Sequence, residues 1–530
     1  MANTELQPLP LGTSAFVALR NENQIYVDKT ALIYELASKR QKFFLARPRR
    51  FGKSLLISTF ESLFKYGLRD FKGLAIEKLW KDENTYQVVR LDFSEVKYFS
   101  TAEQFQAMLD EYLLDLMERN CLVSPIQTST QGLRAFKNWL AVQKSNSVVL
   151  LIDEYDAPLT ACLNKVELFE SVRMILSGLY ATIKRNDQIF KFFFMTGITK
   201  FNKTSIFSEL NNLSDLTLKT SFSTLLGYTH EEVERYFGGY LTRASEVLGI
   251  EKTKLMEELT AHYDGFCFDE KTSKKVFVPW SFLNFLASPE SGIKDYWFES
   301  GGRPSALIEY MKSHSLRDPA EYGKELTISL SVLTASSDAE KLSDIGLLTQ
   351  AGYLTLKRIY GSTAYVGYPN AEVRTAMAQL YLEQLLNGNT VEEVGAGGIA
   401  LALASENAES VFHKFNHLFK DIVYEKYPVK NESTVRAYVQ VYMSGAGLNP
   451  KAEVQGSKGR SDLEVTSGNR LWVFEFKTIK ENESAEKKLQ EAIAQIVERD
   501  YGNPTESQEL KRVAMVFSLE ARRFVKWEEV

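Results

Sequence analysis

The amino-acid sequence predicts an α/β protein in which a parallel sheet covered by helices is followed by a helical middle region and a second, smaller α/β unit. Three observations support this prediction. Short apolar runs alternate with longer amphipathic segments up to about residue 225, a pattern typical of a parallel sheet whose strands are joined by helices. A helix-start signal then opens a stretch of helical character. Strand patterns return with a long helix after about residue 430.

The strands of the first sheet are predicted from apolar runs of strand length. These runs are FFLA (43–46), VVRLDFS (88–94), SVVLLIDEYD (147–156) and IFKFFFMTG (189–197), with LSDLTL (213–218) as a candidate fifth strand. Between them, segments such as 167–185 carry apolar residues at helical spacing. Such spacing predicts helices that pack on the sheet.

The rest of the chain is divided by changes in this pattern. Thr229 with Glu232 three residues later forms a capping-box signal at the start of a helical region, 227–324. Residues 325–390 read as two helices, two short strands joined at Tyr360-Gly361-Ser362 and a further helix, an order that suits a winged-helix-like module. We therefore expect a core with its N-terminal lead-in at 1–226, these two regions, and a second α/β unit with a helical lead-in at 391–530.

Composition excludes several classes of protein. A chain of 530 residues suggests about three domains, and a net charge of -5 gives no general attraction to nucleic acid or membranes. The three cysteines lie far apart, without a CxxC pair or a nearby set of histidines, which argues against a disulfide framework or a zinc site. Neither a signal peptide nor an apolar run long enough to span a membrane is seen, so we expect a cytoplasmic protein without a membrane partner.

A candidate phosphate-binding loop lies between the first predicted strand and the helix after it. In RPRRFGKSLL the Gly52-Lys53-Ser54 end resembles the phosphate loop of nucleotide-binding proteins. There, backbone N–H groups and a helix N-terminus face the anion, a lysine reaches the terminal phosphates and a hydroxyl contacts Mg²⁺. The residues expected to contact the nucleotide are Arg50, Phe51, Gly52, Lys53, Ser54 and Leu55.

The glycine that would open such a loop is replaced by Arg47. Arginine adopts positive φ angles only at a cost, and Pro48 favours extended geometry at Arg47. The loop must therefore begin differently. Taken alone, a basic surface turn that contains GKS by chance would be the better interpretation.

An acidic strand end shifts the balance towards a nucleotide site. The run VVLLIDEYD places Asp153 where a carboxylate holds the Mg²⁺ shell and Glu154 where a second one polarises the attacking water. A solvated acidic strand end is the alternative. Thr196, which ends another strand, is a candidate sensor of the γ-phosphate, and a strand-capping threonine is an almost equal alternative.

Several stretches together resemble the bacterial AAA-ATPase-like family. They are YVDKT (26–30), RPRRFGKSLL (47–56), LLIDEYDAP (150–158), MTGITKFNKTSIFSELNNLSDLT (195–217), YDGFCF (263–268) and YPNAEVR (368–374). In that family the opening glycine is ordinarily replaced too, and a C-terminal PD-(D/E)xK nuclease-like domain is usual. The resemblance implies a P-loop AAA-type core that binds ATP and Mg²⁺, with Lys53 and Ser54 as phosphate and metal contacts and Asp153 and Glu154 as the acidic pair.

A second candidate site lies in GRSDLEVTSGNRLWVFEFKTI. Strand alternation puts Glu475 and Lys477 on one face, and the hairpin brings Asp462 beside them. Two carboxylates so placed bind Mg²⁺ or Mn²⁺, and the lysine acts on the attacking water. The alternative is a solvated hairpin face, although charges that interrupt an apolar strand are costly without a purpose.

Further residues of this second site depend on the resemblance or stay open. Gln495 and Tyr501 match positions of the family's nuclease-like domain. Glu432 is a possible third acidic group, and Glu453 is an alternative to it.

Three functions are compatible with these patterns. The first is an ATPase coupled to a metal-dependent nuclease that acts on nucleic acid, with DNA as the expected substrate. The second is a nucleotide-controlled regulatory or assembly switch whose nuclease-like domain only binds nucleic acid or is inactive; an NTPase that acts on another protein is a third option. AAA-type ATPases often complete their sites with an arginine from a neighbour, so a homo-oligomer is possible.

Overall fold

The computed structural model describes residues 6–122, 131–200, 210, 212–298, 308, 325–334, 343–386, 388, 396–456 and 458–530. These residues form two compact units, of which the first ends at Asn370 and the second begins at Ala371. Each unit is built around its own sheet.

The first unit contains a five-stranded sheet in the order β2-β3-β4-β1-β5. All four pairings in this sheet are parallel. The five strands are β1 (Lys42–Ala46), β2 (Gln87–Asp92), β3 (Val148–Asp153), β4 (Phe190–Gly197) and β5 (Leu213–Asp215). The parallel sheet predicted from the apolar runs is thus confirmed, including its short fifth strand.

Burial explains why these runs form the central strands. Every residue of β1 and β3 is buried, as expected for strands covered on both faces. In parallel sheets the carboxyl ends of the strands meet at one edge, where ligands usually bind. The loop that follows β1 and the acidic residues that end β3 therefore lie at the same edge.

The helices described in the first unit cover the sheet or form the middle region. They are α1 (Phe16–Asn21), α2 (Thr30–Ala37), α3 (Lys53–Tyr66), α4 (Ala102–Arg119), α5 (Gly132–Ala141), α6 (Ala157–Ala161), α7 (Val166–Arg185), α8 (His230–Leu248), α9 (Lys252–Tyr263), α10 (Pro279–Ala287), α11 (Leu330–Thr334) and α12 (Asp344–Ala351). The predicted capping box at the start of α8 is present: Thr229 and Glu232 cap each other's backbone N–H groups.

A small antiparallel sheet completes the first unit. Its strands are β6 (Leu326–Ser329), β7 (Thr355–Tyr360) and β8 (Thr363–Gly367), in the order β6-β8-β7. The predicted hairpin at Gly361 is observed, whereas β6 lies in a stretch that the sequence pattern had suggested was helical. The helix Ala371–Leu385, which we had grouped with this module, lies in the second unit.

The second unit has a mixed sheet in the order β13-β12-β11-β10-β9. Its strands are β9 (Lys451–Gln455), β10 (Arg460–Ser467), β11 (Arg470–Ile479), β12 (Glu509–Ser518) and β13 (Arg523–Glu529). Its helices are α13 (Ala371–Leu385), α14 (Ala396–Ser405), α15 (Ala408–Lys420), α16 (Glu432–Gly445) and α17 (Ala485–Arg499). The edge strands β9 and β13 were not predicted, because short edge strands with mixed polarity lack a clear pattern.

Two layers of helices surround this second sheet. One face of β11 presents Val473 and Ile479, which pack with Leu489 and Ile496 of α17. On the other face, Phe474 contacts Phe415 of α15. A helix long and apolar enough to cross a bilayer is not found in the described part of the chain.

Candidate functional site

The loop between β1 and α3 has the backbone of an anion-binding turn. Arg50 and Gly52 both have left-handed conformations, with φ angles of 70° and 90°. Gly52 is the N-cap of α3, and the first N–H groups of a helix have no partner within the helix. The loop therefore contains two left-handed residues, and one of them, Arg50, is not a glycine.

Arg47 occupies the position of the missing glycine and points away from the cavity described below. Its buried guanidinium donates hydrogen bonds to the carbonyl oxygens of Ala46 (2.9 Å) and Thr217 (2.6 Å) and lies 4.1 Å from the centre of the Phe268 ring. Burial lowers the pKa of Arg47 to about 9. Arg47 thus anchors the start of the loop to the core.

Lys53 is held by the loop itself. Its buried Nζ donates to the carbonyl oxygens of Arg47 (3.1 Å) and Pro48 (3.0 Å). Burial lowers the pKa of Lys53, and the charge of Asp153 opposes this change. The lysine is therefore a desolvated cation bonded to neutral carbonyl groups, an arrangement suited to receive an anion.

Asp153 lies at the end of β3 with its side chain inside the protein. Its Oδ1 accepts a hydrogen bond from the backbone N–H of Glu154 (3.1 Å). Its Oδ2 is buried and has no hydrogen-bond partner among the described residues, and Arg90 Nη2 lies 3.7 Å from it. Burial raises the pKa of Asp153, and the neighbouring Ser54 hydroxyl opposes the shift. An unpartnered carboxylate oxygen beside a serine hydroxyl fits a hard cation such as Mg²⁺.

Glu154 and Thr196 differ in their positions. Glu154 has a φ of 46°, a strained conformation for a residue other than glycine, and its side chain lines the cavity. Thr196 is fully buried and donates its hydroxyl to the carbonyl oxygen of Leu45 (2.8 Å). The structure brings Glu154 to the loop but leaves Thr196 as a link between β4 and β1.

A cavity of about 560 Å³ opens beside the loop. Residues 49–56 and Glu154 form one part of its wall. The other part is largely apolar and includes Val27, Ile33, Leu225, Leu226, Tyr228, Trp280 and Leu283. The guanidinium of Arg50 lies 4.5 Å from the centre of the Trp280 ring.

Sequence reasoning missed this apolar wall. Its residues come from the N-terminal lead-in and from segments more than 150 positions after the loop. Lys29 also lines it, paired with Glu232. The stretch YVDKT was noticed only as part of the family resemblance, and no local pattern marks it as a wall.

In the second unit, Asp462, Glu475 and Lys477 come together. Leu463 pairs with Phe474 across the hairpin, and Asp462 Oδ2 accepts from the backbone N–H of Phe476 (2.9 Å). Lys477 Nζ donates to Glu475 Oε1 (2.8 Å) and to Gln495 Oε1 (3.0 Å). The hairpin geometry expected from strand alternation is therefore observed.

Glu475 is almost completely buried under α17, at 1% exposed. Burial and the nearby charge of Asp462 raise the pKa of Glu475 to about 7, and Lys477 opposes the shift. Its Oε2 is buried without a hydrogen-bond partner among the described residues. A buried carboxylate with an unpartnered oxygen beside a second carboxylate fits a divalent cation.

The residues around this pair complete a polar network. Gln495 donates to the Tyr501 hydroxyl (3.1 Å), so both of the residues indicated by the resemblance join the site. Glu432 accepts from the backbone N–H of Thr478 (3.2 Å). Glu453 instead pairs with Arg436 (3.1 Å), an arginine that sequence analysis did not single out.

In the described residues, neither site offers a complete set of protein ligands for a metal ion. Groups of three or more His, Cys, Asp or Glu side chains arranged to hold a metal do not occur in the described ranges of the chain. Each site instead offers one or two carboxylates, which matches cations that keep water and phosphate oxygens as further ligands, as Mg²⁺ does.

Comparison with known families agrees with this geometry. The family model described as predicted AAA-ATPase, AAA-ATPase-like, matches residues 10–207, and the model of the PD-(D/E)XK nuclease superfamily matches residues 430–527. The N-terminal region is thus an AAA-ATPase-like domain and the C-terminal region a PD-(D/E)XK nuclease superfamily domain.

A relative from Azotobacter chroococcum mcd 1 is similar along most of its length. It is described as "Uncharacterized protein in vnfD 5'region" and is 29% identical over 486 residues, which cover 89% of both chains. The similarity therefore extends over more of the chain than either family model covers.

Proposed function

We propose that this protein binds ATP with Mg²⁺ in the cavity of the first unit and hydrolyses it, and that the second unit cleaves nucleic acid in a metal-dependent reaction, with DNA as the expected substrate. The observation that carries the proposal is the pair of buried carboxylates, Asp153 and Glu475. Each has an oxygen without a partner in the described residues and lies beside the lysine expected for its chemistry.

The cavity suits a nucleotide in size and in polarity. Its volume of about 560 Å³ falls within the roughly 300–1,000 Å³ of small-molecule sites. The loop and Lys53 would hold the phosphates, and the apolar wall with Tyr228 and Trp280 would take the base. A flat, weakly polar base and a charged triphosphate need these two environments side by side.

The residues around the phosphates have separate roles in this proposal. Lys53 would leave the carbonyl oxygens of its own loop and neutralise the terminal phosphates. Asp153 and Ser54 would hold Mg²⁺, which supplies positive charge to the developing negative charge on the phosphate oxygens. Glu154 would accept a proton from the attacking water. Its strained backbone fixes the carboxylate towards the cavity.

In the second unit, Asp462 and Glu475 would hold Mg²⁺ or Mn²⁺, which lowers the pKa of a bound water. Lys477 would orient this water or stabilise the negative charge that develops on the phosphodiester. Gln495 and Tyr501 keep the lysine in place through the hydrogen bonds described above. Nucleic acid is the proposed substrate because this superfamily is named for its nucleases.

The test is an assay of the purified protein for cleavage of DNA and RNA with Mg²⁺ and with Mn²⁺. Asp462→Asn, Glu475→Gln and Lys477→Ala should each abolish cleavage, while their thermal unfolding stays cooperative. The amide variants keep the size of the side chain and remove its charge, so metal binding should fail before the fold does. Lack of cleavage by the wild type with either metal, with and without ATP, would replace this proposal by a nucleotide-controlled switch.

A further inference from the structure

Arg436 lies between two carboxylates of the second-unit site. It follows Glu432 by one helical turn on α16, so both side chains share a face of that helix. Its Nη2 lies 3.1 Å from Glu453 Oε1, and its Nη1 lies 3.5 Å from Asp462 Oδ1. Only 12% of the Arg436 side chain is exposed. The arginine therefore reaches the same carboxylate that is proposed to hold the metal.

The two ion pairs of Arg436 differ in their distances. The contact with Glu453 is a hydrogen bond, whereas the 3.5 Å approach to Asp462 is too long for a good one. The Nε of Arg436 is buried and has no hydrogen-bond partner among the described residues. An arginine carries five donors, and the protein satisfies only part of them here.

Glu453 is held in a conformation that carboxylate residues rarely adopt. Its φ is 54°, in the left-handed region, and the regular pairing of β9 with β10 is interrupted at this residue. The register is the same on both sides of this break, so the ladder lacks one pair, Glu453 with Asp462, and contains no inserted residue. Here the result is a carboxylate that binds Arg436, with Arg460 on its other oxygen at 3.3 Å.

We propose that Arg436, held by Glu453, binds the phosphate of the nucleic-acid substrate beside the metal pair Asp462 and Glu475. The inference rests on the proposed nuclease function and deepens it. A divalent cation on Asp462 takes over the charge that now attracts Nη1, so that Arg436 keeps Glu453 and presents its other donors to a phosphate oxygen. Guanidinium groups suit this task because their fork matches two oxygens of a phosphate.

The proposal predicts that removing the charge of Arg436 has opposite effects on the affinity for metal and on the affinity for DNA. In Arg436→Gln, Mn²⁺ should bind more tightly, because a positive charge next to Asp462 is removed. Affinity for labelled single-stranded and duplex DNA, measured with Ca²⁺ to follow binding without turnover, should fall about tenfold, since a charge-assisted contact is lost. Arg436→Lys should recover part of the DNA affinity but not all, because lysine lacks the fork.

A matched control and a double variant separate this role from a structural one. Arg470→Gln makes the same change of charge in the same unit, at the start of β11, where Arg470 pairs with Glu509 (2.9 Å), and it should leave both affinities within about twofold. Glu453→Gln should lower DNA affinity in the wild type but have no further effect in Arg436→Gln, because Glu453 acts through Arg436.

The outcomes are distinct for the two proposals. A wild type that binds Mn²⁺ through Asp462 and binds DNA, with unchanged DNA affinity in a folded Arg436→Gln, would overturn the role of Arg436 and leave the nuclease proposal intact. Parallel loss of metal and DNA binding with a lower unfolding temperature would show that Arg436 is only structural. A wild type whose Mn²⁺ binding does not depend on Asp462 would overturn both proposals.

Discussion

Lys53, which is buried, and Lys477, which is partly buried, lie near buried carboxylates, and their pKa values are shifted in opposite directions. Lys53 is bonded to neutral carbonyl oxygens, and burial lowers its pKa. Burial alone would lower the pKa of Lys477, but the hydrogen bond to Glu475 and the charges of Glu475, Glu432 and Asp462 together outweigh it and raise the pKa. Within the described ranges, Lys53 thus donates hydrogen bonds only to neutral carbonyl groups, whereas Lys477 is already paired with a carboxylate of its own site.

This difference gives a prediction for Lys53→Ala at the scale of one residue. The variant should lose about 1.5–3 kcal/mol of ATP binding, the value of a hydrogen bond to a charged group. Isothermal titration calorimetry with Mg²⁺ would measure it. Lys65→Ala is a suitable control, because Lys65 lies at the end of the same helix and is 39% exposed beside Glu61. Equal ATP affinity in the wild type and Lys53→Ala would show that the loop assignment is wrong.

Glu154→Gln should separate binding from hydrolysis. The amide keeps the shape of the side chain and removes its basicity, so ATP affinity should be retained while turnover falls about 10²–10⁴-fold, the usual value of a general base. A phosphate-release assay at saturating ATP measures this change. An unchanged rate would assign Glu154 a structural role.

At the scale of elements, the small antiparallel sheet packs against the nucleotide loop. A Cβ added to Gly352, which follows α12 with a φ of 88°, would lie 2.7 Å from Pro48 Cβ. Thr355 of β7 donates to the carbonyl oxygen of Cys267 and accepts from its N–H group. Arg358 of β7 pairs with Glu325 at 3.0 Å. Gly352 thus packs on the loop of the ATPase-like domain and Thr355 bonds to the middle region, which favours a supporting role for this module.

We therefore predict that Gly352→Ala weakens ATP binding. The new methyl group must displace Pro48, whose carbonyl oxygen holds Lys53, and overpacking of this kind costs about 1–3 kcal/mol. Gly361→Ala is the matched control, since Gly361 also has a positive φ, of 56°, but nothing lies within 4 Å of an added Cβ. Both variants should lose stability in thermal unfolding, and only Gly352→Ala should also lose ATP affinity. Equal ATP affinities in the two variants would show that the packing of Gly352 against Pro48 does not influence ATP binding.

At the scale of the whole molecule, the two candidate sites lie in separate compact units. The residues proposed for ATP hydrolysis all precede Asn370, and those proposed for cleavage all follow Ala371. Each unit has its own buried sheet, so that a substitution in one need not disturb the fold of the other. A homo-oligomer and a cytoplasmic location stay predictions of the sequence.

The separation predicts that the two activities can be lost independently. Lys53→Ala should abolish ATP hydrolysis and alter the regulation of cleavage, but residual metal-dependent cleavage of nucleic acid should remain. Asp462→Asn should abolish cleavage and leave ATP hydrolysis within about twofold, since substitutions at independent sites are usually additive. Parallel assays of phosphate release and DNA cleavage on the same preparations measure both. Complete loss of cleavage in a folded Lys53→Ala would mean that the cut requires ATP.

The sequence by itself determined the elements that depend on local pattern. The apolar strands of the first sheet, the capping box at Thr229 and the hairpin that joins Asp462 to Glu475 follow from spacing along a few residues, since strand alternation and helix capping act over such distances. The chemistry expected of Lys53 follows from its place in the loop before a helix, and that of Asp153 and Glu154 from carboxylates at a strand end.

Tertiary structure decided what depends on residues far apart in the chain. Three features join segments that lie apart in the sequence, and no local periodicity predicts that they meet. They are the apolar wall with Tyr228 and Trp280, the anchoring of Arg47 on Thr217 and the approach of Arg436 to Asp462. The same holds for Thr196, whose hydroxyl donates a hydrogen bond to the carbonyl oxygen of Leu45 on the neighbouring strand. Strand order and helix packing set these contacts, because burial of apolar surface is non-directional and selects partners only when the whole core forms.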